Sequence, residues 1–358
     1  MADDRAPDRD FTSGDVSIAR RLGNWRTIAS IVFALALLFF LFRVVLNVDF
    51  GEVWRLVIGA NPVFLLLAFL AYYTTFPLRG LRWHFVLART GTHVRYRDAT
   101  EILFLSWFVN CLVPAKLGDL YRAYLLKGNY GASGSRTVGT VFIERVADVV
   151  VIFGLALAAG FWSFRGRSTP QIDALFLAGF VFALILVILV LSLRFWGRRL
   201  QRFMPERIGE LWERFHEGST GALTVRSLPV ILVLTGMVWV LEGLRLYFVI
   251  RALALPEVGL GISASIFVAL GGALLTAIPL TPAGIGFVQA GIVALMSFYG
   301  IGATSGAAVA LTDWAISILT VIILGGIVYA FSDKVRRAHG PSAALAPASE
   351  PAERGPTG

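Results

Sequence analysis

Charged side chains and cysteine are scarce in this sequence. Only 15% of its 358 residues are charged, and 57% are hydrophobic, whereas roughly a quarter of the residues in a typical soluble domain are charged. A chain with so few polar residues cannot cover a hydrophobic core in water, which excludes an ordinary soluble protein and a disordered one. The single cysteine, Cys111, lies in an apolar run. An internal disulfide and a cysteine-based metal site are therefore excluded as well.

Lysine is also rare, and several motifs of soluble chemistry are missing. Of the 32 basic residues, 29 are Arg, which favours bidentate binding of phosphate but also follows from GC-rich coding. No Walker A string is present, so no ATP-driven pump is indicated. The histidines are scattered without metal-ligand spacing: His84, His93, His216 and His339. We therefore expect no metal and no cofactor.

Long apolar runs, by contrast, are abundant. A run of about 20 apolar residues is long enough to cross the hydrocarbon core as a helix. Six segments of the chain qualify: Thr27–Asn47, Val57–Leu78, Val141–Trp162, Ala174–Leu193, Leu228–Ile250 and Val309–Phe331. The first is too long for a cleavable signal peptide and lacks the small residues of a cleavage site.

Two further apolar stretches are short or broken. Ile102–Val113 stops at Pro114, and Ile262–Tyr299 is interrupted by four helix breakers: Pro279, Pro282, Gly284 and Gly286. Such segments are typical of half-helices that enter and leave the membrane on one side. The predicted fold is an all-α polytopic membrane protein with six full transmembrane helices and two re-entrant hairpins.

The basic residues predict the orientation. With the N-terminus in the cytoplasm, the loops on that side hold 25 Lys and Arg, and the outside loops hold 4. This bias indicates that both termini lie in the cytoplasm. The predicted parts are a polar segment 1–26, a transmembrane domain 27–333 and a disordered tail 334–358.

Apolar residues recur at helical spacing in 194–226, which favours either an interfacial helix or a helix packed on the spans.

An internal repeat joins these segments. Pro114-Ala-Lys-Leu-Gly118 and Pro282-Ala-Gly-Ile-Gly286 share the pattern Pro-Ala-x-aliphatic-Gly, 168 residues apart. The same offset places span 57–78 on 225–246 and span 141–162 on 309–330. Each half, about 27–163 and 174–331, then has three crossings and one hairpin. Because three is odd, the second half begins on the opposite side, which predicts an inverted-topology repeat with both Pro-Ala elbows near the midplane.

Charged residues inside spans are costly and tend to mark function. Glu144, Arg145 and Asp148 open the third predicted span, and a role at the membrane interface is an alternative for them. Glu242 and Arg245 are three residues apart and close enough to form an ion pair. Asp313 follows an outside loop closely and is interpreted as interfacial. Two arginines directly after the second span, Arg79 and Arg82, are interpreted as headgroup-level side chains.

The first hairpin has the densest set of polar residues. Between its apolar flanks lie Asn110, Pro114, Lys116, Gly118, Asp119 and Arg122. Lys116 and Arg122 are suited to bind a lipid phosphate, the arginine with a bidentate fork, and Asp119 is placed to orient Arg122. A solvated loop with membrane-surface arginines is the alternative interpretation.

These motifs resemble a known family. Asn110-x3-Pro114-x3-Gly118-Asp119-x2-Arg122, Glu144-Arg145-x2-Asp148 and Pro279-x2-Pro282-x-Gly284-x-Gly286-x2-Gln289 look like the transmembrane flippase region of lysylphosphatidylglycerol synthases. The likeness covers roughly residues 25–333. It implies an inner-membrane protein that moves a polar lipid between leaflets, with membrane lipids as partners. Two departures, Gln289 in place of a common Glu and Asp313-Trp314 in place of an Arg, indicate a different lipid.

The resemblance also limits what is carried over. Bifunctional members continue into an aminoacyl-transferase domain, and we expect none here because a Pro- and Ala-rich tail follows the last span. A separate lipid-modifying enzyme is then a possible partner, and nucleic acid is not. The leading hypothesis is a lipid translocase that works by alternating access. The alternatives are a membrane glycosyltransferase or related lipid-linked transferase, with Asp49 and Glu52 as its acidic residues, and a small-solute secondary transporter.

Overall fold

The computed structural model of the chain describes residues 38–113, 117–165, 205–222, 227–255, 259–276 and 284–339, with isolated residues between 32 and 36 and between 170 and 192. Every regular element in these ranges is helical. Residues 1–26 and 340–358 and parts of the predicted spans Thr27–Asn47 and Ala174–Leu193 lie outside the described residues, and the first six residues of the predicted tail 334–358 belong to a helix. The all-α class predicted from the sequence is confirmed, while the total number of spans stays a prediction.

The first half contains five α-helices after a π-helical turn at Leu41–Val45. In chain order they are α1 (Phe50–Ile58), α2 (Pro62–Arg89), α3 (Tyr96–Leu112), α4 (Leu117–Tyr130) and α5 (Gly134–Ser163). Local sequence fixes several of the helix starts. Asn61 accepts a hydrogen bond from the Val63 N–H with Pro62 in the first turn, and Ser133 accepts one from the Arg136 N–H, as N-cap residues do.

The described part of the second half repeats this series. It contains α6 (Glu206–Ala222), α7 (Leu228–Ala252), α8 (Ile262–Leu275), α9 (Phe287–Ser297), α10 (Ala303–Phe331) and α11 (Asp333–His339). A π-helical turn, Ala315–Leu319, interrupts α10. Three helices of the described chain, α2, α7 and α10, are long and apolar enough to cross a membrane.

The two halves match element by element. Adding 168 to the bounds of α2, α3, α4 and α5 gives 230–257, 264–280, 285–298 and 302–331, close to α7, α8, α9 and α10. The contacts match too: α2 packs on α7, α5 packs on α8, and α10 packs on α3. Reciprocal contacts of this kind are those of two units related by a pseudo-two-fold axis. The predicted repeat is present in the element order, and the opposite membrane orientation of its halves stays a prediction.

Three helices extend beyond the predicted spans. The second span was predicted to end at Leu78, but α2 continues to Arg89. The third was predicted to begin at Val141, but α5 begins at Gly134. The last was predicted to begin at Val309, but α10 begins at Ala303. Hydropathy ended the second span before Arg79, whose charge is paired with Glu242 inside the protein, so the helix continues. At the other two starts, the small and polar residues 134–140 and 303–308 lowered the hydropathy ahead of the apolar run.

The polar linker forms a helix that packs on the bundle. Phe215 on α6 packs against Phe142 of α5, with the ring centroids 5.4 Å apart and the rings tilted by 56°, and Arg136 of α5 pairs with Glu217 of α6 at 2.7 Å. A Cβ atom added to Gly139 would lie 2.3 Å from the Phe215 carbonyl oxygen, so the two backbones approach closely. Of the two alternatives for this segment, packing against the spans is the one observed.

The short helix α11 is tied to the first hairpin. Lys334 contacts the carboxylates of Asp98 and Glu101, each at 2.7 Å, and Tyr130 hydrogen-bonds to Asp98. Ser332 donates to Glu101 at 2.6 Å. We refer to Asp98, Glu101, Tyr130, Ser332 and Lys334 as the end cluster. It joins the last helix of the second half to both half-helices of the first hairpin.

Candidate functional site

A chain of alternating charges runs through the interior of the first half. Arg122 donates to Glu144 at 2.6 Å, and Glu144 also accepts from Arg82 at 3.2 Å. Arg82 in turn donates to Asp148 at 2.6 Å and to Thr235 of α7 at 2.8 Å. The four charged residues that make these bonds, on α2, α4 and α5, are each 3% exposed or less. Buried arginines and carboxylates at such depth are stable only when each has its partner.

The same chain continues from Asp148 to the hairpin. Arg145 contacts Asp148 at 3.8 Å and donates to both carboxylate oxygens of Asp119, at 2.8 and 3.1 Å. Asn110 donates to Asp119 at 3.3 Å. Asp119 therefore orients Arg145, and the prediction that it orients Arg122 was wrong. The partners differ because Arg122 lies one helical turn further along α4 and faces Glu144.

A second chain of charges joins the two halves. Arg79 of α2 donates to Glu242 of α7 at 2.7 Å, and Glu242 also accepts from Arg245. Arg245 donates to both oxygens of Asp313 on α10, at 2.7 and 2.9 Å. The predicted Glu242–Arg245 pair is thus present. Asp313 is 5% exposed and paired, so its interpretation as an interfacial residue was wrong.

The two chains of charges together contain equal numbers of cations and anions. They contain five guanidinium groups and five carboxylates: Arg79, Arg82, Arg122, Arg145 and Arg245 with Asp119, Glu144, Asp148, Glu242 and Asp313. Aromatic faces cover several of the cations. Arg79 lies 4.5 Å from the Trp107 ring centroid, and Arg122 lies 4.5 Å from that of Trp83. Cation–π contacts partly replace the water that these groups lose.

Each hairpin elbow is closed by a side-chain amide. In the first, Asn110 of α3 accepts the Gly118 N–H at 2.8 Å. In the second, Gln289 of α9 accepts the Gly286 N–H at 2.7 Å. Gly118 and Gly286 are the matching glycines of the two Pro-Ala motifs. Gly286 has φ of +88°, which favours glycine, and a Cβ on Gly118 would lie 2.0 Å from the Ser106 carbonyl oxygen.

A cavity of about 210 Å³ lies between the halves. Its charged lining is Arg145, Glu242, Arg245 and Asp313, two of each sign. Its other lining includes aromatic, amide and small residues: Tyr72, Trp107, Trp239, Trp314, Asn110, Gln289, Gly272 and Gly284. The Trp314 Nε1 atom has no hydrogen-bond acceptor among the described residues. The charged side chains in this largely apolar wall can hold a charged or hydrogen-bonding group away from lipid.

The structure brings together many of the residues predicted as a site. Asn110, Arg145, Glu242, Arg245, Gly284 and Gln289 line the cavity. Arg122, Glu144 and Asp148 lie outside that lining, in the first chain of charges. Gly118, Asp119 and Gly286 shape the elbows. Pro114, Lys116 and Pro282 lie outside the described residues, so the predicted roles of these three stay predictions.

Sequence reasoning missed Arg79 and Arg82, which were interpreted as headgroup-level side chains. They are 2% and 3% exposed and belong to the two chains of charges. It also missed the aromatic lining from Tyr72, Trp107, Trp239 and Trp314. One signal was available: Arg79 and Arg82 are three apart, as are Glu242 and Arg245, on helices that the repeat makes equivalent. Opposed charges on equivalent helices suggest pairing across the pseudo-two-fold axis.

Comparison with known proteins agrees with this architecture. Residues 27–325 match the family model described as the lysylphosphatidylglycerol synthase TM region. A UPF0104 membrane protein of Methanocaldococcus jannaschii is 34% identical over 222 residues, covering 62% of this chain and 93% of that protein. A UPF0104 membrane protein of Methanothermobacter thermautotrophicus is 26% identical over 316 residues, covering 82% of this chain and 91% of that protein.

One relative is named for an enzymatic activity. The glycosyltransferase AglD of Haloferax volcanii is 31% identical over 139 residues, which is 39% of this chain and only 21% of that protein. The family model, in contrast, covers the predicted spans and both hairpins almost completely. The chain is a membrane protein that belongs to the lysylphosphatidylglycerol synthase TM region family.

Proposed function

We propose that the protein is a lipid translocase of the inner membrane. The observation that carries this proposal is the ion-lined cavity between two matching halves, flanked by interrupted helices. Repeats of this kind, with broken helices at a central site, are typical of alternating-access transporters. The headgroup of a polar or phosphate-bearing lipid enters the cavity while its acyl chains stay in the bilayer, and both chain termini face the cytoplasm.

The chemistry of the cavity wall supports a headgroup that is rich in hydrogen-bond acceptors. Arg145 and Arg245 supply guanidinium donors, which suit phosphate oxygens. The Trp314 N–H, which has no acceptor among the described residues, is a further donor, and a buried donor without an acceptor costs free energy until a ligand supplies one. Glu242 and Asp313 line the same wall and repel an anion that approaches them. A phosphate-bearing headgroup is therefore favoured only where it lies close to one of the arginines.

Reconstitution tests the proposal. Vesicles containing the protein and a fluorescent phosphatidylglycerol are treated with dithionite, which bleaches only the outer leaflet, and the rate of further loss reports translocation. We expect Arg145→Ala to lower that rate by at least about tenfold, because the cavity loses its most accessible guanidinium. The matched control is Arg336→Ala, whose side chain is 66% exposed. Equal rates for wild type and Arg145→Ala would contradict the proposal.

A second candidate is a membrane glycosyltransferase, which the similarity to AglD favours. Incubation of the purified protein with labelled lipid-linked sugars distinguishes it from a translocase. Transfer of label to an acceptor, with no lipid movement in vesicles, would support the transferase. Uptake of a soluble solute into the same vesicles, independent of the lipid, would instead support a small-solute transporter.

A further inference from the structure

Arg145 differs from the other buried arginines in its access to the cavity. Its side chain is 32% exposed, against 11% for Arg245, 2% for Arg79, 3% for Arg82 and 4% for Arg122. Its Nε and Nη2 atoms bond to Asp119, while among the described residues Nη1 makes only the 3.8 Å contact with Asp148. In that part of the chain, Nη1 therefore has no close hydrogen-bond acceptor.

The Asp119 carboxylate binds the Arg145 guanidinium with the geometry that a phosphate would use. Both of its carboxylate oxygens accept from the guanidinium, at 2.8 and 3.1 Å, and phosphate uses the same parallel pair of bonds with arginine. Asp119 itself does not line the cavity, whereas Arg145 does. The carboxylate is also the third residue of α4, directly after the elbow of the first hairpin.

The second arginine of the cavity is less available. Both oxygens of Asp313 bond to Arg245, and Glu242 contacts it as well. Those acids lie on the long helices α7 and α10, so displacing them would disturb the contact between the halves. Displacing Asp119 from Arg145 requires only that the first turn of α4 move at its junction with the elbow.

From these contacts we infer that Asp119 is an internal competitor for the substrate phosphate at Arg145. The inference rests on the proposed function. The phosphate of the lipid replaces the Asp119 carboxylate on the guanidinium fork. The freed carboxylate then keeps only its bond to Asn110, which releases the elbow of the first hairpin. Binding of the headgroup is thereby coupled to movement of the hairpin, and Asp119 is a positioning residue for that step.

Binding affinity tests the competition directly. Dihexanoyl-phosphatidylglycerol is titrated into the purified full-length protein below its micelle concentration, with glycerol phosphate in a parallel titration as the free phosphate source. We expect Asp119→Asn to bind the lipid about tenfold more tightly, because a neutral amide competes poorly for arginine. Asp119→Glu keeps the carboxylate and should bind as wild type does. The matched control, Glu217→Gln, removes an acid paired with Arg136 outside the cavity and should change nothing.

A second measurement needs no variant. Hydrogen–deuterium exchange of wild-type residues 110–122 should rise several-fold when dihexanoyl-phosphatidylglycerol binds and should not change with dihexanoylglycerol, which lacks the phosphate. Unchanged or weaker lipid binding by folded Asp119→Asn, or no increase in exchange in the wild type, would overturn the inference. If wild-type vesicles move no lipid, the proposed function itself fails, and that result is separate from both measurements. An affinity gain for glycerol phosphate alone would identify a soluble phosphate ligand and overturn the lipid coupling.

Discussion

The two hairpins of the protein, α3–α4 and α8–α9, are built alike: each has two helices, a glycine at its elbow and a side-chain amide that closes the elbow. Only the first hairpin contains charged residues. Residues 96–130 include seven charged side chains, and residues 259–300 include none. Asp119 and Arg122 of the first hairpin form ion pairs with the buried charges of the first half. Asp98 and Glu101 of the same hairpin belong to the end cluster. The second contributes Gln289 and small apolar residues to the cavity wall.

This difference shows that the repeat conserves backbone geometry while its chemistry has diverged. In the second half, the charges of the cavity come from the long helices, through Glu242, Arg245 and Asp313. Position 145 and its equivalent, 313, even carry opposite charges, Arg and Asp. We therefore expect substitutions in the first hairpin and its partners to affect stability and binding more than matching substitutions in the second.

The largest effect is expected at Arg82, which holds the acids of the first half together. Arg82→Met removes the closest guanidinium partner of Asp148 and one of the two arginines that contact Glu144, and loss of one partner in a buried ionic network costs about 3–5 kcal/mol. The melting temperature in detergent measures it. The control is Arg136→Met, whose side chain is 35% exposed and whose loss should cost less than about 1 kcal/mol. Equal losses for the two variants would mean that the network is not a stabilising core.

The second-largest loss of stability is expected where a glycine in a hairpin is in close contact with a neighbouring helix. A Cβ on Gly118 would lie 2.0 Å from the backbone carbonyl of Ser106, and one on Gly291 would lie 2.0 Å from the Leu275 Cδ1 atom. A carbonyl in a helix cannot move aside, whereas the end of a leucine side chain can change rotamer. We expect Gly118→Ala to cost about 1–3 kcal/mol and Gly291→Ala less than about 1 kcal/mol, measured by denaturant unfolding. The reverse order would show that the second hairpin is the more rigid.

The two elbow amides give a finer comparison. Asn110→Ala removes the acceptor for the Gly118 N–H and the donor to Asp119, while Gln289→Ala removes only the acceptor for the Gly286 N–H. Loss of a helix cap costs about 1 kcal/mol, so Gln289→Ala should cost that much and Asn110→Ala about twice as much. Unfolding free energies of both variants check this, with lipid affinity as a second readout. A large affinity loss in Gln289→Ala would instead make that amide a ligand contact.

The smallest effect is expected at the end cluster, which has no counterpart on the second hairpin. Partial burial raises the pKa of Asp98, but hydrogen bonds from Lys334 and Tyr130 outweigh it, and the pKa lies below its usual value. Its contribution is fully present above the unfolded-state pKa of about 3.9 and is lost as the pH falls through the lower folded-state value.

Melting temperatures between pH 5 and pH 3 test this. Wild type should lose more stability over that range than Asp98→Asn, by less than about 1 kcal/mol because the pair is partly solvated. Parallel curves for the two proteins would contradict a stabilising role for Asp98.

Much of the architecture could be predicted from the sequence, because apolar length and the Pro-Ala repeat are local signals. The interrupted hairpins at residues 102–118 and 262–286 illustrate this. The continuation of α2 past Arg79 could not be predicted, because hydropathy assigns a charge to water unless its partner is known, and the partner of Arg79, Glu242, lies 163 residues away along the sequence. That Asp119 pairs with Arg145 and not with Arg122 was missed for a similar reason, since spacing alone does not show which arginine a carboxylate faces.

The balance of five cations and five anions in the interior has an electrical consequence. A transmembrane potential acts on net charge, at about 2.3 kcal/mol per elementary charge for each 100 mV. The two chains of paired residues sum to zero, so rocking them together through the field requires almost no electrical work. The voltage dependence of transport would then report the charge of the transported molecule itself, and a net-neutral substrate would move at a rate that is insensitive to the membrane potential.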